Sequence, residues 1–252
     1  MVAPNGARKT KKDHPNLPIT ISEIVSEAKN CYKSGADGLH AHIRDNKGNH
    51  SLDVGLYKEL LTELKNEVPN LPIQITTESI GKYSPDDQIK VVEKILPESA
   101  SIALSEIIPN SGYANKAKKL YEFSIKNNIQ IQHILYTPRE LEIFSEAVKN
   151  KIIPRRNLQV LFVLGKYSKN FQSNEKDLEP FIRFYKNKTT LPDFEWSVCA
   201  FGKSETNCLI KAYLLGGKAR VGFENNIYNK DGSIALSNSE RVLEIAKIKK
   251  LK

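Results

Sequence analysis

The sequence predicts an α/β fold in which one parallel sheet closes into an eight-stranded barrel, as a single domain over residues 1–252. Short apolar or β-branched runs alternate with segments of helical periodicity, and parallel strands need such crossover connections. Eight of these units fit within 252 residues, which matches the size of a (β/α)8 TIM barrel. The alternative is an open doubly wound sheet, but no Gly-x-Gly-x-x-Gly turn follows the first predicted strand.

The strands are the apolar runs that precede loops, and they are predicted at residues 2–5, 38–43, 73–77, 101–105, 129–136, 158–165, 196–201 and 219–223. The helices between them are predicted at residues 21–34, 54–67, 86–95, 114–126, 141–149, 178–186, 204–214 and 239–249. Thr20 with Glu23, and Thr137 with Glu140, have the spacing of a capping box. Pro85 after Ser84 is typical of a first helical turn.

The composition excludes several classes of protein. The chain has 38 Lys and Arg against 29 Asp and Glu, a net charge of +9, but its lysines are scattered among acidic residues. A nucleic-acid binder would concentrate them on one face, so we expect no nucleic-acid partner. No apolar stretch approaches the roughly 20 residues that span a bilayer. The first residues show no charged segment followed by an apolar one, so we expect no signal peptide. With three cysteines and no Cys-x-x-Cys pair, we expect a cytoplasmic protein without disulfides.

The second predicted strand carries two histidines, His40 and His42. Side chains of a strand alternate between its faces, so both imidazoles point to one side while Leu39, Ala41 and Ile43 point to the other. Two imidazoles that converge at the end of a barrel can hold a divalent metal. The alternative is a hydrogen-bonded pair of histidines without a metal.

The last predicted strand supplies a third ligand, Glu224, which shares a face with Arg220 and Gly222. The last strand of a closed barrel lies beside the first ones, so Glu224 can approach the two histidines. Two histidines and one carboxylate leave coordination positions open for a reactant, as catalytic zinc sites do. A plain salt bridge from Glu224 to Arg220 is the alternative.

Other polar residues fall at predicted strand ends, where barrel enzymes place their active sites. On the third strand Thr76 can donate to a carboxylate, and Glu78 can act as a base. Ser105 on the fourth strand and Tyr136 on the fifth are expected to line the mouth, whereas His133 is interpreted as a core residue.

Two further segments are candidates for binding anions. After the first strand, Asn5 and Arg8 are expected to contact substrate, with Arg8 holding an anionic group. After the seventh strand, Gly202 leads through Lys203 and Ser204 into a helix, and a glycine turn at a helix N-terminus can receive phosphate. Lys203 and Ser204 are therefore candidates for binding a phosphate group.

Several of these motifs together resemble the β-keto acid cleavage enzymes, a family that includes 3-keto-5-aminohexanoate cleavage enzymes. The resemblance covers nearly the whole chain, with the motifs in the same order. They lie at residues 3–8, 40–45, 74–78, 132–136, 163–165, 199–202 and 220–226.

The resemblance implies a TIM barrel with one Zn²⁺ held by His40, His42 and Glu224. It also implies a reaction, in which a β-keto acid and acetyl-CoA give acetoacetate and a new acyl-CoA. Arg220 would polarise the reacting groups and Thr76 would hold the substrate carboxylate. Lys203 and Ser204 would contact coenzyme A, and a homo-oligomer, often a tetramer, is implied as well.

One position departs from the family pattern. Some members carry Glu-Asp at the end of the last strand, where the aspartate can take a proton, but this chain has Asn225 after Glu224. An amide cannot act as a base, so Glu78 is the substitute candidate. We assign the catalytic roles to Arg220, Glu78 and Asn225.

Two other functions are compatible with parts of this pattern. A zinc-dependent TIM-barrel hydrolase would also use a His-x-His pair, but it would carry the pair on the first strand rather than the second. A non-catalytic protein that binds acyl-CoA or nucleic acid would need no metal, and its binding would survive the loss of His40.

Overall fold

The computed structural model describes residues 1–166, 168–187 and 191–248. Its strands are β1 (Leu39–Ala41), β2 (Ile43–Arg44), β3 (His50–Ser51), β4 (Ile73–Thr76), β5 (Ser99–Ala103), β6 (Gln130–Leu135), β7 (Gln159–Leu164), β8 (Glu195–Ala200) and β9 (Lys218–Ala219). Its helices are α1 (Ile21–Lys33), α2 (Val54–Glu67), α3 (Pro85–Ile95), α4 (Leu104–Ile107), α5 (Ala114–Lys126), α6 (Pro138–Lys149), α7 (Glu179–Asn187), α8 (Glu205–Leu214) and α9 (Asn238–Ala246). Three 3₁₀ turns join them, at Ser111–Tyr113, Lys169–Phe171 and Glu175–Leu178.

Seven strands form one curled parallel sheet in the order β1-β4-β5-β6-β7-β8-β9. Its two edge strands approach each other around Val2, which makes a parallel bridge to Leu39 on one side and to Val221 on the other. The amide of His40 donates to the Val2 carbonyl at 2.8 Å, and the amide of Ala3 donates to the Val221 carbonyl at 2.8 Å. Because the seven strands are parallel, their carboxyl ends lie on one side of the molecule.

The local signals at the helix starts are confirmed. Thr20 and Thr137 each form a complete capping box, with Glu23 and Glu140 respectively. Ser84 caps α3, which begins at Pro85. The helices cover the outside of the sheet, where a large apolar core includes Leu39, Ile75 and Val92. No helix among the described residues is long and apolar enough to cross a membrane.

The strand predicted at residues 2–5 is reduced to isolated bridges at Val2, and two other predicted strands end earlier than expected. The strand predicted at 38–43 ends at Ala41, because Asn5 occupies the backbone groups of His42: its Nδ2 donates to the His42 carbonyl at 2.9 Å. Residues 43–44 then turn into a small antiparallel hairpin with β3. The strand predicted at 219–223 ends at Ala219, and Gly222 leaves the sheet with φ +143°. A Cβ at Gly222 would lie 2.3 Å from the carbonyl oxygen of Ala3.

The prediction that Ser105 lies on the fourth strand and lines the mouth is wrong. The strand ends at Ala103, and the chain turns directly into α4. The short helix buries Leu104 and Ile107 and leaves Ser105 exposed. The helix predicted at 239–249 corresponds to α9, and Lys249 lies outside the described residues.

Candidate metal centre and active site

The metal ligands predicted from the sequence lie together at the carboxyl ends of the strands. The Nε2 atoms of His40 and His42 are 3.1 Å apart. Oε2 of Glu224 lies 3.6 Å from Nε2 of His40 and 3.4 Å from Nε2 of His42. Both imidazoles are 1% exposed. This is the group of potential ligands that the described part of the chain brings together for a metal ion.

The donor atoms fit a small divalent cation. With metal–donor bonds of about 2.1 Å, ligands at the corners of a tetrahedron lie about 3.4 Å apart. The three measured separations bracket that value. Oε2 of Glu224 is buried and has no hydrogen-bond partner among the described residues. A buried carboxylate oxygen without a donor is costly, and a cation between the three atoms removes that cost.

Burial and nearby charges set the protonation states of the ligands. Burial, together with the charge of Arg220, lowers the pKa of His40 to about 3. Burial alone would raise the pKa of Glu224, but the charge of Arg220 beside it holds that pKa well below its ordinary value. The site is therefore a neutral imidazole beside an ionised carboxylate, which are the forms that bind metals.

Arg220 lies beside the triad of His40, His42 and Glu224, and it binds only one of the two carboxylate oxygens of Glu224. Its Nη2 donates to Oε1 of Glu224 at 3.0 Å and to Sγ of Cys199 at 3.4 Å. The salt bridge that was the alternative to metal ligation is thus present, but it uses only the oxygen that faces away from the histidines. Nε and Nη1 of Arg220 are buried without a hydrogen-bond partner in residues 1–166, 168–187 and 191–248. They can therefore donate hydrogen bonds to oxygen atoms of a substrate.

A small cavity in front of the triad brings further predicted residues together. Thr76, Glu78, Tyr136 and Asn225 line it, as do the three ligands and Arg220. Oγ1 of Thr76 accepts a hydrogen bond from the Glu78 amide at 3.0 Å. Both side-chain polar atoms of Asn225 are buried and lack partners among the described atoms.

Residues that the sequence argument did not single out complete this cavity. Lys166 lines it directly after the turn that follows β7, with Nζ 3.5 Å from the Glu78 carboxylate and 5.4 Å from the Phe201 ring centroid. The sequence signal that could have identified Lys166 is its position at the end of a predicted strand. His50 lies behind His42 with their Nδ1 atoms 3.4 Å apart, and no periodicity marks it because it belongs to the small hairpin.

The structure does not bring every predicted contact residue to the cavity. Arg8 is exposed, and Ser105 is exposed on α4. Lys203 is exposed with its Nζ 4.7 Å from the Tyr228 ring centroid, and Ser204 precedes α8 without making a side-chain cap. Asn5 is buried but binds the backbone of His42, so it supports the ligand strand.

The segment after the first predicted strand reaches the site through Lys9 instead of Arg8. Gly6 has φ +63°, and a Cβ there would lie 2.5 Å from Cγ of Glu224. Arg44 then holds the turn, since its guanidinium donates to the carbonyls of Gly6 and Lys9. Nζ of Lys9 donates to the Glu224 carbonyl at 2.6 Å. Burial lowers the pKa of Lys9, and the charge of Glu224 opposes that shift.

A larger cavity of about 450 Å³ lies at the opposite end of the sheet. Trp196, Leu209, Val242 and Ile245 form much of its wall. It does not contain the metal ligands, so we place the chemistry at the smaller cavity.

His133 gives a test of how buried histidines affect stability. It lies outside the candidate site, and burial lowers its pKa to about 4. Below pH ~6.5 the unfolded chain gains a proton that the folded chain does not bind, so the free energy of unfolding falls as the pH falls. His133→Gln should abolish a loss of about 2.4 kcal/mol between pH 7 and pH 4.5, measured by urea unfolding at both values. Equal pH dependence in the two proteins would contradict the assignment.

Comparison with known proteins identifies relatives along the whole chain. A sequence profile described as beta-keto acid cleavage enzyme matches residues 1–251. A 3-keto-5-aminohexanoate cleavage enzyme of Acetoanaerobium sticklandii is 27% identical over 252 residues, covering 97% of this chain and 89% of the relative. A 3-oxoadipate:acetyl-CoA acetyltransferase of Cupriavidus necator is 24% identical over 257 residues, covering 97% and 86%.

Among solved structures, apo ObcA is similar with a TM-score of 0.72 at 14% identity, over 92% of this chain. The chain spans 61% of the ObcA chain. At this level of identity the similarity shows the fold alone, and that fold agrees with the curled α/β sheet described above.

Proposed function

The chain belongs to the beta-keto acid cleavage enzyme family, and on that premise we propose that it is a metal-dependent β-keto acid:acetyl-CoA acyltransferase. The products are acetoacetate and the acyl-CoA that corresponds to the β-keto acid. The observation that carries the proposal is the convergence of His40, His42 and Glu224 beside a guanidinium with two nitrogens that lack a partner among the described residues. The names of relatives that act on 3-keto-5-aminohexanoate or transfer acetyl between acetyl-CoA and 3-oxoadipate agree with it.

One Zn²⁺ per chain is the proposed cofactor, and His40, His42 and Glu224 are its proposed ligands. When bound, the ion supplies Lewis-acid polarisation of the keto and carboxylate oxygens. The chain itself positions the substrate: Thr76 donates its hydroxyl hydrogen to the carboxylate, since its oxygen lone pair is used by the Glu78 amide. Nε and Nη1 of Arg220 have no partner among the described residues, and either of them can donate to an oxygen where negative charge develops.

Proton transfer is assigned to Glu78. It lines the cavity, whereas Asn225 can only orient groups through its amide. Glu78 removes a proton from the carbon between the two carbonyl groups, and that carbon attacks the acetyl-CoA thioester as the thiolate leaves. The thiolate then attacks the original keto carbon, which breaks the carbon–carbon bond and forms the new acyl-CoA. The departing acetoacetate carbanion regains the proton.

The charges around the cavity favour anionic reactants. Arg220, Lys166 and Lys9 lie in or beside it, against the carboxylates of Glu78 and Glu224. With a divalent cation added, the positive field attracts the β-keto acid and the phosphates of coenzyme A. Lys203 and Ser204, at the start of α8, stay our proposal for the coenzyme A contacts.

The remaining assignments concern architecture. We propose that residues around Val2 take the place of the eighth strand and close a single TIM-barrel domain, because Val2 bridges both sheet edges. That the protein is cytoplasmic and that it forms a homotetramer remain predictions.

The test of the reaction uses zinc-loaded protein, acetyl-CoA and β-keto acids with cationic, neutral and anionic distal ends. Mass spectrometry should detect acetoacetate together with the matching acyl-CoA. Glu78→Gln should lower kcat by at least about 10²-fold, the typical contribution of a general base. Glu142→Gln, at an exposed position on α6, is the matched control and should be unaffected.

Two outcomes would contradict the proposal. Absence of both products with every acid, in protein that binds zinc stoichiometrically, would reject the reaction, and hydrolase substrates would then be tested. Unchanged turnover in Glu78→Gln would reject Glu78 as the base while leaving the reaction in place.

A further inference from the structure

We infer that two hydrogen-bond relays, each anchored on a backbone carbonyl, fix the tautomers of His40 and His42 so that both Nε2 lone pairs face the metal position. His50 is the key positioning residue of one relay. The inference rests on the metal centre of the proposed function, but it does not depend on the substrate or on the reaction.

The first relay runs from the Glu78 carbonyl to His42. Nε2 of His50 lies 2.8 Å from the Glu78 carbonyl oxygen. A carbonyl oxygen only accepts, so Nε2 of His50 carries the hydrogen and, in the neutral ring, Nδ1 carries a lone pair. Nδ1 of His42 is 3.4 Å from that Nδ1 and must therefore donate. Nε2 of His42 is left as an acceptor.

The second relay crosses the interior of the sheet to His40. Oγ of Ser197 donates to the Val160 carbonyl at 3.3 Å, and it accepts from Nε2 of Gln132 at 3.2 Å. Oε1 of Gln132 accepts from Nε2 of Gln74 at 3.4 Å. Oε1 of Gln74 therefore faces Nδ1 of His40, at 2.8 Å, and accepts its hydrogen. Nε2 of His40 is again left as an acceptor.

The two relays leave three hydrogen-bond acceptors facing one another, and a cation can bind between them. Three acceptors, the two Nε2 atoms and Oε2 of Glu224, lie within 3.1 to 3.6 Å of one another, and the relays place no hydrogen between them. Reversal of either relay would put an N–H where a metal–nitrogen bond has to form. His50 also ties the hairpin to the backbone of Glu78, so the relay links a metal ligand to the segment that carries the proposed base.

The experiment begins with metal-free wild-type protein. Two-dimensional ¹H–¹⁵N NMR of the imidazoles should show His40 and His42 protonated at Nδ1 and His50 protonated at Nε2. The affinity for Zn²⁺ alone is then measured by competition with a chromophoric chelator. His50→Leu should weaken zinc binding about 10- to 100-fold, which is typical for loss of such a partner, and should release His42 into a mixture of tautomers.

His50→Gln separates the relay from simple packing, because its amide can donate to the Glu78 carbonyl and accept from His42. It should restore zinc affinity to within a few-fold of wild type. His133→Gln is the control, since it removes a buried imidazole outside both relays.

The inference is overturned if wild-type His42 is protonated at Nε2, or if His50→Leu keeps both wild-type zinc affinity and the His42 tautomer. The wild-type spectrum decides the tautomers even where a variant folds poorly. Protein that has the expected tautomers and binds zinc but converts no β-keto acid would retain this inference and reject the proposed reaction.

Discussion

Replacing Glu224 with Gln should abolish stoichiometric zinc binding and lower kcat/KM by about 10³-fold or more. Oε2 of Glu224 is the negatively charged donor of the triad and has no other hydrogen-bond partner among the described residues. A metal supplies several kcal/mol of transition-state stabilisation, and about 1.4 kcal/mol corresponds to each factor of ten in rate. Zinc content by atomic emission and turnover by acyl-CoA formation measure the two effects.

The fold should survive this substitution, which makes the result specific. The amide oxygen of Gln can still accept from Nη2 of Arg220, which lies 3.0 Å from Oε1 in the wild type. Its amide nitrogen can donate to the histidine nitrogens that otherwise face the cation. Glu63→Gln, exposed on α2, serves as the control. Retention of tightly bound zinc by Glu224→Gln would remove Glu224 from the ligand set.

The candidate metal ligands His40 and His42 were predictable because they follow from strand periodicity. His40 and His42 are two residues apart, and their apolar neighbours Leu39 and Ala41 enter the outer core. Glu224 followed from the cyclic order of a barrel, in which last and first strands are neighbours. The structure realises that order through Val2, which bridges both sheet edges.

Contacts outside regular strands were not predictable in this way. β5 ends at Ala103 and the chain turns directly into α4, which is why Ser105 is exposed. The positive φ of Gly6 turns the chain so that Lys9, rather than Arg8, approaches Glu224. His50 contacts His42 because the β2–β3 hairpin brings them together, and no periodicity of the sequence predicts the pairing of that hairpin.

Arg241→Leu should lower the free energy of unfolding by about 3–5 kcal/mol, the cost of leaving a buried charge without its partner. The side chains of Arg241 and Glu205 are both 0% exposed, with Nη2 and Oε2 2.9 Å apart. Burial raises the pKa of Glu205 to about 7, although the charge of Arg241 opposes the shift. Urea unfolding at pH 7 measures the loss. Arg183→Leu, exposed on α7, should change stability by less than about 0.5 kcal/mol.

A double-mutant cycle distinguishes loss of the ion pair from loss of packing. Replacing Glu205 and Arg241 together with Leu removes both charges, so the double variant should be more stable than Arg241→Leu alone. A double variant as unstable as the sum of the two single variants would reject the pairing argument. The cycle also bears on the site, because Nδ2 of Asn226 donates to Oε2 of Glu205 at 3.1 Å. Asn226 is two residues from Glu224, so weaker zinc binding in the double variant, at restored stability, would show that this buried pair positions the metal ligand.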